Sequence, residues 1–332
     1  MKVIIIGSDR QIFNLTSTVR QRASDYSDLI DETRIIVFAK KSLGFIANQV
    51  SPKLWIYPTN SKLKIFYIFD AIRLARKLKW QADFITCQDP FESGLTGWLI
   101  RRRQLIKLEL QIHTDIGSPY FQRKSLKNKV RYFLAKFLLP KADRIRVVSQ
   151  RIKNHLISNL GIAENKIYVK PIFVNVEKIK NTPITADLHK KYPQFDKIIL
   201  MASRLTREKN VNLAIKAMHE IIKQKPKTGL IIVGSGSEEQ KLKLKTKSYN
   251  LEASIIFEPW VSQEVLYSYY KTADLFLLTS MYEGYGMTLI EANVCECPVV
   301  STDVGIAGEI TPYVCSVTDD DCVVKKVLQI IS

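Results

Sequence analysis

Short apolar runs alternate with longer amphipathic stretches along almost the whole chain, and this alternation restricts the fold more than any other feature. In the first half the runs are 2–6 (KVIII), 34–38 (RIIVF), 53–57 (KLWIY), 83–87 (DFITC), 107–112 (KLELQI), 144–148 (RIRVV) and 166–170 (KIYVK), with amphipathic segments such as 63–79 and 124–139 between them. Such short runs read as buried strands, and the segments between them carry a helical period. Strand–helix alternation at this spacing builds parallel sheets covered by helices. It pauses over 171–196, which carries three prolines. It resumes with strands at 197–202, 229–233, 254–258, 274–278 and 298–301 and helices at 210–223, 238–247, 263–271, 287–295 and 321–331. The expected architecture is α/β, with two doubly wound, Rossmann-like domains over 1–175 and 197–332, a linker over 176–196, and a cleft between the domains. Ligands of such sheets bind beyond the carboxyl ends of the strands.

With 332 residues, 46% of them apolar, each domain has material for its own core. No uninterrupted apolar run reaches the ~18 residues that mark a spanning helix. The opening MKVIIIG ends in a Gly-Ser-Asp turn, too soon for a signal peptide, so a cytoplasmic location is expected. Cys87, Cys295, Cys297, Cys315 and Cys322 are odd in number and irregular in spacing, which predicts structural thiols and no disulfide framework. The four histidines are scattered, and no metal site is expected. Asp319-Asp320-Asp321 contains a D-x-D, but it lies in a polar turn before the last helix, where an N-cap is the expected role.

The net charge of +18 is unevenly placed. Residues 1–190 hold 34 Lys and Arg against 15 Asp and Glu; residues 191–332 hold 16 against 17. The excess therefore belongs to the first half, which would attract nucleic acid, anionic lipid or a phosphorylated acceptor.

Four segments stand at strand ends. In 279–309, a strand ending near Leu278 runs into Glu283-Gly284-Tyr285-Gly286, and a helix starts near Met287 and carries Glu291 one turn in. Glycines let a ligand approach the backbone, and the open N–H groups of a helix start bind phosphate. In 200–213, Arg204 and Lys209 lie in a strand–helix loop, where two cations suit a departing diphosphate; Arg207 competes for that role. Gly234-Ser235-Gly236 ends a third strand, either as a backbone wall near a nucleotide base or as a simple tight turn. His113 ends a strand in the basic half, with Asp115 two residues on.

Together these residues resemble the retaining GT-B glycosyltransferases of family 4, also called group 1, over nearly the whole chain. The E-x7-E motif is met by Glu283 and Glu291, R-x4-K by Arg204 and Lys209, and G-x-G by Gly234 and Gly236. The strand-end histidine is His113, and ADRIRVVSQ at 142–150 matches the strand before the interdomain helix. The resemblance implies transfer of a hexosyl group from a nucleotide-sugar donor, UDP-linked first and GDP-mannose second, to a lipid-linked or glycan acceptor, with retention and no metal or other cofactor. It implies that Glu291 binds the ribose, that Glu283 binds the donor sugar near its 3- and 4-hydroxyls, and that Gly284, Gly286, Met287 and Thr288 hold the diphosphate and sugar. Arg204 and Lys209 would stabilise the leaving diphosphate, His113 would touch the donor sugar, and Gly7 and Asp115 would lie on the acceptor side. The chain departs from the pattern in having one glycine, Gly7, in its first loop and Asn210 where a glycine usually follows the motif lysine.

The basic half offers one more candidate. Residues 101–103 are RRR, and in 121–139 Leu126, Val130, Phe133, Phe137 and Leu138 share a helical face flanked by Lys127, Lys129, Arg131 and Lys136. This is either a core helix with a solvated basic face or a helix that lies on an anionic membrane surface. The resemblance favours the second, with the enzyme peripheral on the inner face of the cell membrane. A nucleic-acid-binding protein would also explain the charge, but no DNA- or RNA-binding motif is present and no nucleic-acid partner is expected. A nucleotide-sugar epimerase and a donor-binding relative without transfer are the remaining alternatives.

Overall fold

The computed structural model describes residues 1–78, 81–102 and 106–332. The chain divides into two compact units, Met1–Lys170 and Pro171–Ser332.

The first unit holds strands β1 (Lys2–Gly7), β2 (Glu32–Val37), β3 (Asn48–Ser51), β4 (Leu54–Pro58), β5 (Phe84–Cys87), β6 (Lys107–Ile112), β7 (Arg144–Val147) and β8 (Ile167–Val169). They form one sheet in the order β3-β4-β2-β1-β5-β6-β7-β8. Every pairing is parallel except β3 with β4, which is antiparallel and shifts register between Gln49 and Ser51. The antiparallel β3, at the sheet edge, has no counterpart in the expected strands, because NQVS lacks an apolar run. Strand order reverses between β1 and β5, so the loops after these two parallel strands flank the switch point where ligands of open sheets bind. Gly7 ends β1 there. A Cβ on it would fall 1.8 Å from Gln88 Oε1, so the Gln88 side chain from the β5 loop fills the space beside it.

The second unit holds β9 (Lys197–Ala202), β10 (Thr228–Val233), β11 (Ile255–Glu258), β12 (Leu275–Leu278), β13 (Val299–Thr302) and β14 (Val314–Cys315), ordered β11-β10-β9-β12-β13-β14 and parallel throughout. All six residues of β10 are buried, as expected of a strand covered on both faces. One face packs on helices Val211–Gln224, Glu239–Ser248 and Asp320–Ile331. The other packs on Gln263–Thr272 and Met287–Val294. The switch point lies between β9 and β12.

Residues 176–196, expected as a linker, hold helices Val176–Asn181 and Leu188–Lys191. Ile179, Leu188 and Phe195 are buried in the second unit's core beside Tyr267 and Tyr270. Prolines and polar residues hide these contacts in the sequence, because each buried side chain is a single residue spaced too widely to show a period. Gly229 leaves room for the Phe195 ring, which a Cβ would meet at 2.2 Å.

The cysteine expectation also needs correction. Cys315 and Cys322 form a disulfide, with Cα atoms 5.8 Å apart, while Cys87, Cys295 and Cys297 are buried thiols. The last helix turns back beside β14 and brings its first turn to the strand end, a return that spacing alone does not reveal. Asp319 caps that helix by accepting from the Cys322 N–H at 2.9 Å.

If 176–196 is core rather than linker, Leu188→Ala should cost about 2–5 kcal/mol in denaturant unfolding of the intact chain. A loss within about 0.5 kcal/mol, typical of surface positions, would return the segment to linker status.

Candidate functional site

In the second unit, the loops that leave β9 and β12 are tied together. The β9 loop runs from Ser203 through the turn Arg207–Lys209 to Asn210, where Val211–Gln224 begins. Asn210 has φ +49°, the left-handed region. Glycine reaches it at no cost, and asparagine is among the few other residues that visit it routinely. This accounts for Asn210 in the place of a glycine. Its side chain donates to the Val317 carbonyl at 3.2 Å. From the β12 loop, Thr279 Oγ1 donates to the Lys209 and Asn210 carbonyls at 3.1 and 3.0 Å, and the Met281 N–H donates to the Glu208 carbonyl at 2.8 Å.

This tie brings Lys209 against Glu283. The ammonium donates to Glu283 Oε1 in a direct ion pair, and each side chain is 16% exposed. Ser280 Oγ donates to the same carboxylate oxygen at 2.7 Å. Beyond Glu283 the chain turns through buried Gly284 and Gly286. Gly286 has φ +101° and begins Met287–Val294 without a side-chain cap, so no capping side chain takes the N–H groups at Met287 and Thr288. The turn is braced from behind: the Ile306 N–H donates to the Tyr285 carbonyl at 3.0 Å, and a Cβ on Gly305 would meet that oxygen at 2.3 Å.

Glu291, one turn into this helix, is 8% exposed. Burial pushes its carboxyl above the usual range, against the hydrogen bonds from Tyr270 and Gln263. The Tyr270 hydroxyl lies 3.5 Å away. A half-desolvated carboxylate with so few partners is well prepared to accept from ligand hydroxyls. Arg204 stands apart from Lys209: it is 67% exposed and pairs with Glu208 at 3.6 Å. The two motif cations thus differ in setting, one largely buried at the switch point against Glu283 and one exposed beside Glu208.

Gly234 and Gly236 are explained by close approach of backbones. Cβ atoms there would fall 1.9 Å from the Ser203 carbonyl oxygen and 2.3 Å from that of Leu205. The Leu205 N–H donates to the Ser235 carbonyl and the Glu238 N–H to that of Leu205, both at 2.9 Å, which fastens the β10 loop to the β9 loop. The half-exposed indole of Trp260 lies beside Gly234, 3.5 Å from where its Cβ would be.

In the first unit, His113 directly follows β6 and its Nε2 lies 3.0 Å from Gln111 Oε1. Gln111 Nε2 donates to Thr86 Oγ1 at 2.7 Å, Thr86 donates to buried Glu109 at 2.9 Å, and the Tyr168 hydroxyl donates to Glu109 at 2.5 Å. With the Gln111 amide nitrogen committed to Thr86, its oxygen accepts from His113 Nε2, which leaves Nδ1 as a lone-pair acceptor. Desolvation first, and the Arg146 charge second, hold the His113 pKa down from 6.5 to about 4, although the residue is exposed. The network was legible in part: Glu109, Gln111 and His113 alternate along one strand, a polar stripe where an apolar face is the rule. Asp115 accepts from the Gly117 and Ser118 N–H groups at 3.0 and 3.2 Å, so it shapes the turn before helix Pro119–Arg123. The loop after Gly7 lines a pocket of about 450 Å³ through Ser8 to Gln11, Phe13 and Asn14, together with Phe45.

The segment 121–139 is two helices, Pro119–Arg123 and Leu126–Leu138, divided at Ser125, whose hydroxyl caps the second. Leu126, Val130, Phe133 and Phe137 are exposed, whereas Leu138, expected on the same face, is buried with Asn128 and Ala135. Arg131 is held by Glu92 in a bidentate pair. In the RRR run, Arg101 binds Asp143 and Arg102 lies over Trp98; Arg103 is outside the described residues. Among the described residues, no helix is long and apolar enough to cross a membrane.

Two doubly wound units, their sheets parallel but for edge strand β3, define an α/β protein of paired Rossmann-like units, with a Lys–Glu pair and a glycine-started helix at the second switch point. Residues 26–178 match the sequence model of Glycosyltransferase Family 4 and residues 186–331 that of Glycosyl transferases group 1. The chain belongs to this GT-B family. It is 25% identical to alpha-monoglucosyldiacylglycerol synthase of Streptococcus pneumoniae over 70% of its own length and 54% of the relative. It is 30% identical to an N-acetylgalactosaminyltransferase of Campylobacter jejuni, named for a diphospho-undecaprenol acceptor, over 70% of this chain and 60% of that one. The matches thus span between half and two thirds of these relatives. Among solved structures, sucrose-phosphate synthase of Thermosynechococcus elongatus superposes with a TM-score of 0.80 at 19% identity, over all of this chain and 90% of that one. The Anabaena protein HepE, solved with UDP-glucose, does so with 0.75 at 18%, again over all of this chain and 90% of that one.

The His113 ring should titrate near pH 4 by NMR. Because the unfolded chain takes up a proton near 6.5 that the folded ring refuses until about 4, His113 removes stability as pH falls through that window, and His113→Ala should flatten the slope. A ring midpoint near 6.5 would contradict the desolvated setting.

Proposed function

We propose that this chain is a retaining glycosyltransferase that moves a hexosyl group from a nucleoside diphosphate sugar to a lipid-linked or glycan acceptor in surface polysaccharide or glycolipid synthesis. The observation that carries the reading is the Lys209–Glu283 pair, set at the β9–β12 switch point directly before an uncapped helix start. The donor's diphosphate takes the place of the Glu283 carboxylate as partner of Lys209, beside the N–H groups of Gly286, Met287 and Thr288. Glu283, so released, accepts from the sugar 3- and 4-hydroxyls, with Gly284 leaving room for the sugar. Glu291 accepts from the ribose hydroxyls. The base lies along the loop of Gly234 and Gly236, where Trp260 offers a stacking face. Arg204, exposed and long, swings onto the diphosphate when the donor is bound.

Transfer then needs charge stabilisation and positioning rather than a protein nucleophile. As the C1–O bond to diphosphate breaks, the acceptor oxygen bonds to C1 from the same face, and a phosphate oxygen takes the acceptor proton. His113 supports the sugar through its Nδ1 lone pair. Lys209, Arg204 and the helix start supply the positive charge that a divalent cation supplies elsewhere, so the reaction proceeds without metal. UDP-sugars are the first choice of donor and GDP-mannose the second. The acceptor named for the Campylobacter relative and the lipid product named for the Streptococcus one support a lipid-linked acceptor. The exposed Leu126, Val130, Phe133 and Phe137, with Lys129 and Lys136 on the same helix, suit peripheral attachment to an anionic membrane from the cytoplasmic side.

Glu291→Ala should abolish detectable binding of the donor that raises the melting temperature of the wild-type chain most in a panel of nucleotide sugars. Unchanged affinity would remove the ribose role. Product analysis by NMR should show a transferred α-linked sugar with EDTA present; an epimerised donor, or strict metal dependence, would contradict the mechanism. Phe133→Ser with Phe137→Ser should abolish pelleting with anionic liposomes at low salt. Pelleting equal to the wild type would move the membrane contact elsewhere.

A further inference from the structure

A second pocket, of about 360 Å³, lies behind the loop that carries Lys209. Thr206, Arg207, Asn212, Lys241 and Lys245 line it, together with Glu238 and Met281. It opens between helices Val211–Gln224 and Glu239–Ser248, on one face of the second sheet. The helix that carries Glu291 packs on the opposite face, so this pocket is separate from the donor site.

Its chemistry is that of an anion receptor. Three cations against the Glu238 carboxylate leave a net +2. Lys241 lies 3.8 Å from Glu238, and Lys245 sits over the Tyr249 ring. Arg207 is exposed, and its side chain makes no hydrogen bond or ion pair among the described residues. Thr206 Oγ1 is buried and likewise has no partner among the described residues, an arrangement that costs stability unless a ligand satisfies it. The helix beginning at Val211 has 14 residues and no side-chain cap, because Asn210 turns its amide away to Val317. Val211 and Asn212, which open this helix, line the pocket, and their N–H groups have no partner among the described residues, whereas that of Leu213 donates to the Asn210 carbonyl at 2.9 Å; open N–H groups at a helix start favour negative charge.

We propose that this pocket binds the phosphoryl group of a small phosphorylated metabolite and acts as an effector site. The volume suits a sugar phosphate or free phosphate rather than a polyanion. A phosphoryl group there accepts from Thr206, Arg207 and the amides at Val211 and Asn212. It thereby fixes the turn in which the Lys209 N–H donates to the Thr206 carbonyl at 2.9 Å. Effector and donor grip the two sides of one loop, so each should raise the other's affinity by the same factor. Only this coupling rests on the proposed donor site; the anion site itself does not.

The test is calorimetric titration of the whole chain with inorganic phosphate and, separately, with glucose 6-phosphate. Wild type should bind at least one of them. Arg207→Ala and Lys245→Ala should each weaken binding about tenfold or more, the loss of one charge-assisted hydrogen bond or its equivalent. Glu291→Ala should leave it unchanged. Binding of phosphate as tight as that of the ester identifies phosphate as sufficient; preference for the ester identifies a sugar phosphate. Circular dichroism checks that the variants fold, and Lys245→Arg should restore affinity. No binding of either anion by wild type would overturn the proposal. So would binding that survives both Ala substitutions but fails in Glu291→Ala, since the anion would then occupy the donor site. Anion binding by a chain that binds no nucleotide sugar would sustain this site while removing the donor reading.

Discussion

The second unit is organised around one half-buried ion pair. Lys209 and Glu283 come from loops on either side of the point where strand order reverses, and each is largely withdrawn from water. A pair so placed gives little net stability, because desolvation offsets most of the attraction. Its value lies in the alternative: a diphosphate and a sugar can replace each partner's counter-group, so ligand binding exchanges one set of charge contacts for another. The surrounding hydrogen bonds from Thr279, Ser280 and Met281 hold the two loops in register for that exchange.

The supporting glycines serve the same end in different ways. Gly234 and Gly236 let the β10 loop lie against the β9 loop, and Gly305 lets the chain after β13 brace Tyr285. Gly286 takes the left-handed conformation that starts the helix. Asn210 meets a similar backbone demand without glycine. What looks like a scatter of motif residues is therefore a single layer of loops, each fastened to the next, along the carboxyl edge of one sheet.

Much of this was legible in the sequence. Strands buried on both faces leave continuous apolar runs, which is why β9 and β10 could be bounded to within a residue. Glu283, Gly286 and Glu291 were legible because strand, glycine turn and helix follow one another locally. Less was legible where contacts join distant parts of the chain. The Lys209–Glu283 pair links residues 74 apart, and the Cys315–Cys322 bond depends on how the last helix returns to β14. The burial of Ile179, Leu188 and Phe195 depends on a core built from later residues. Edge strand β3 and the short β14 are made by pairing, not by their own composition. The apolar face of Leu126–Leu138 was grouped from its helical spacing with core and membrane both open; Leu126, Val130, Phe133 and Phe137 are exposed, and Leu138, grouped with them, is buried.

The central claim is that Lys209 exchanges a carboxylate for the donor's diphosphate. Comparing the affinities of uridine and uridine diphosphate for the wild-type chain and for Lys209→Met, by calorimetry at fixed salt, tests it most directly. Loss of a half-buried cation that meets the diphosphate should weaken the diphosphate by roughly tenfold or more while leaving the nucleoside unchanged. Equal weakening of both ligands, or of neither, would contradict the account.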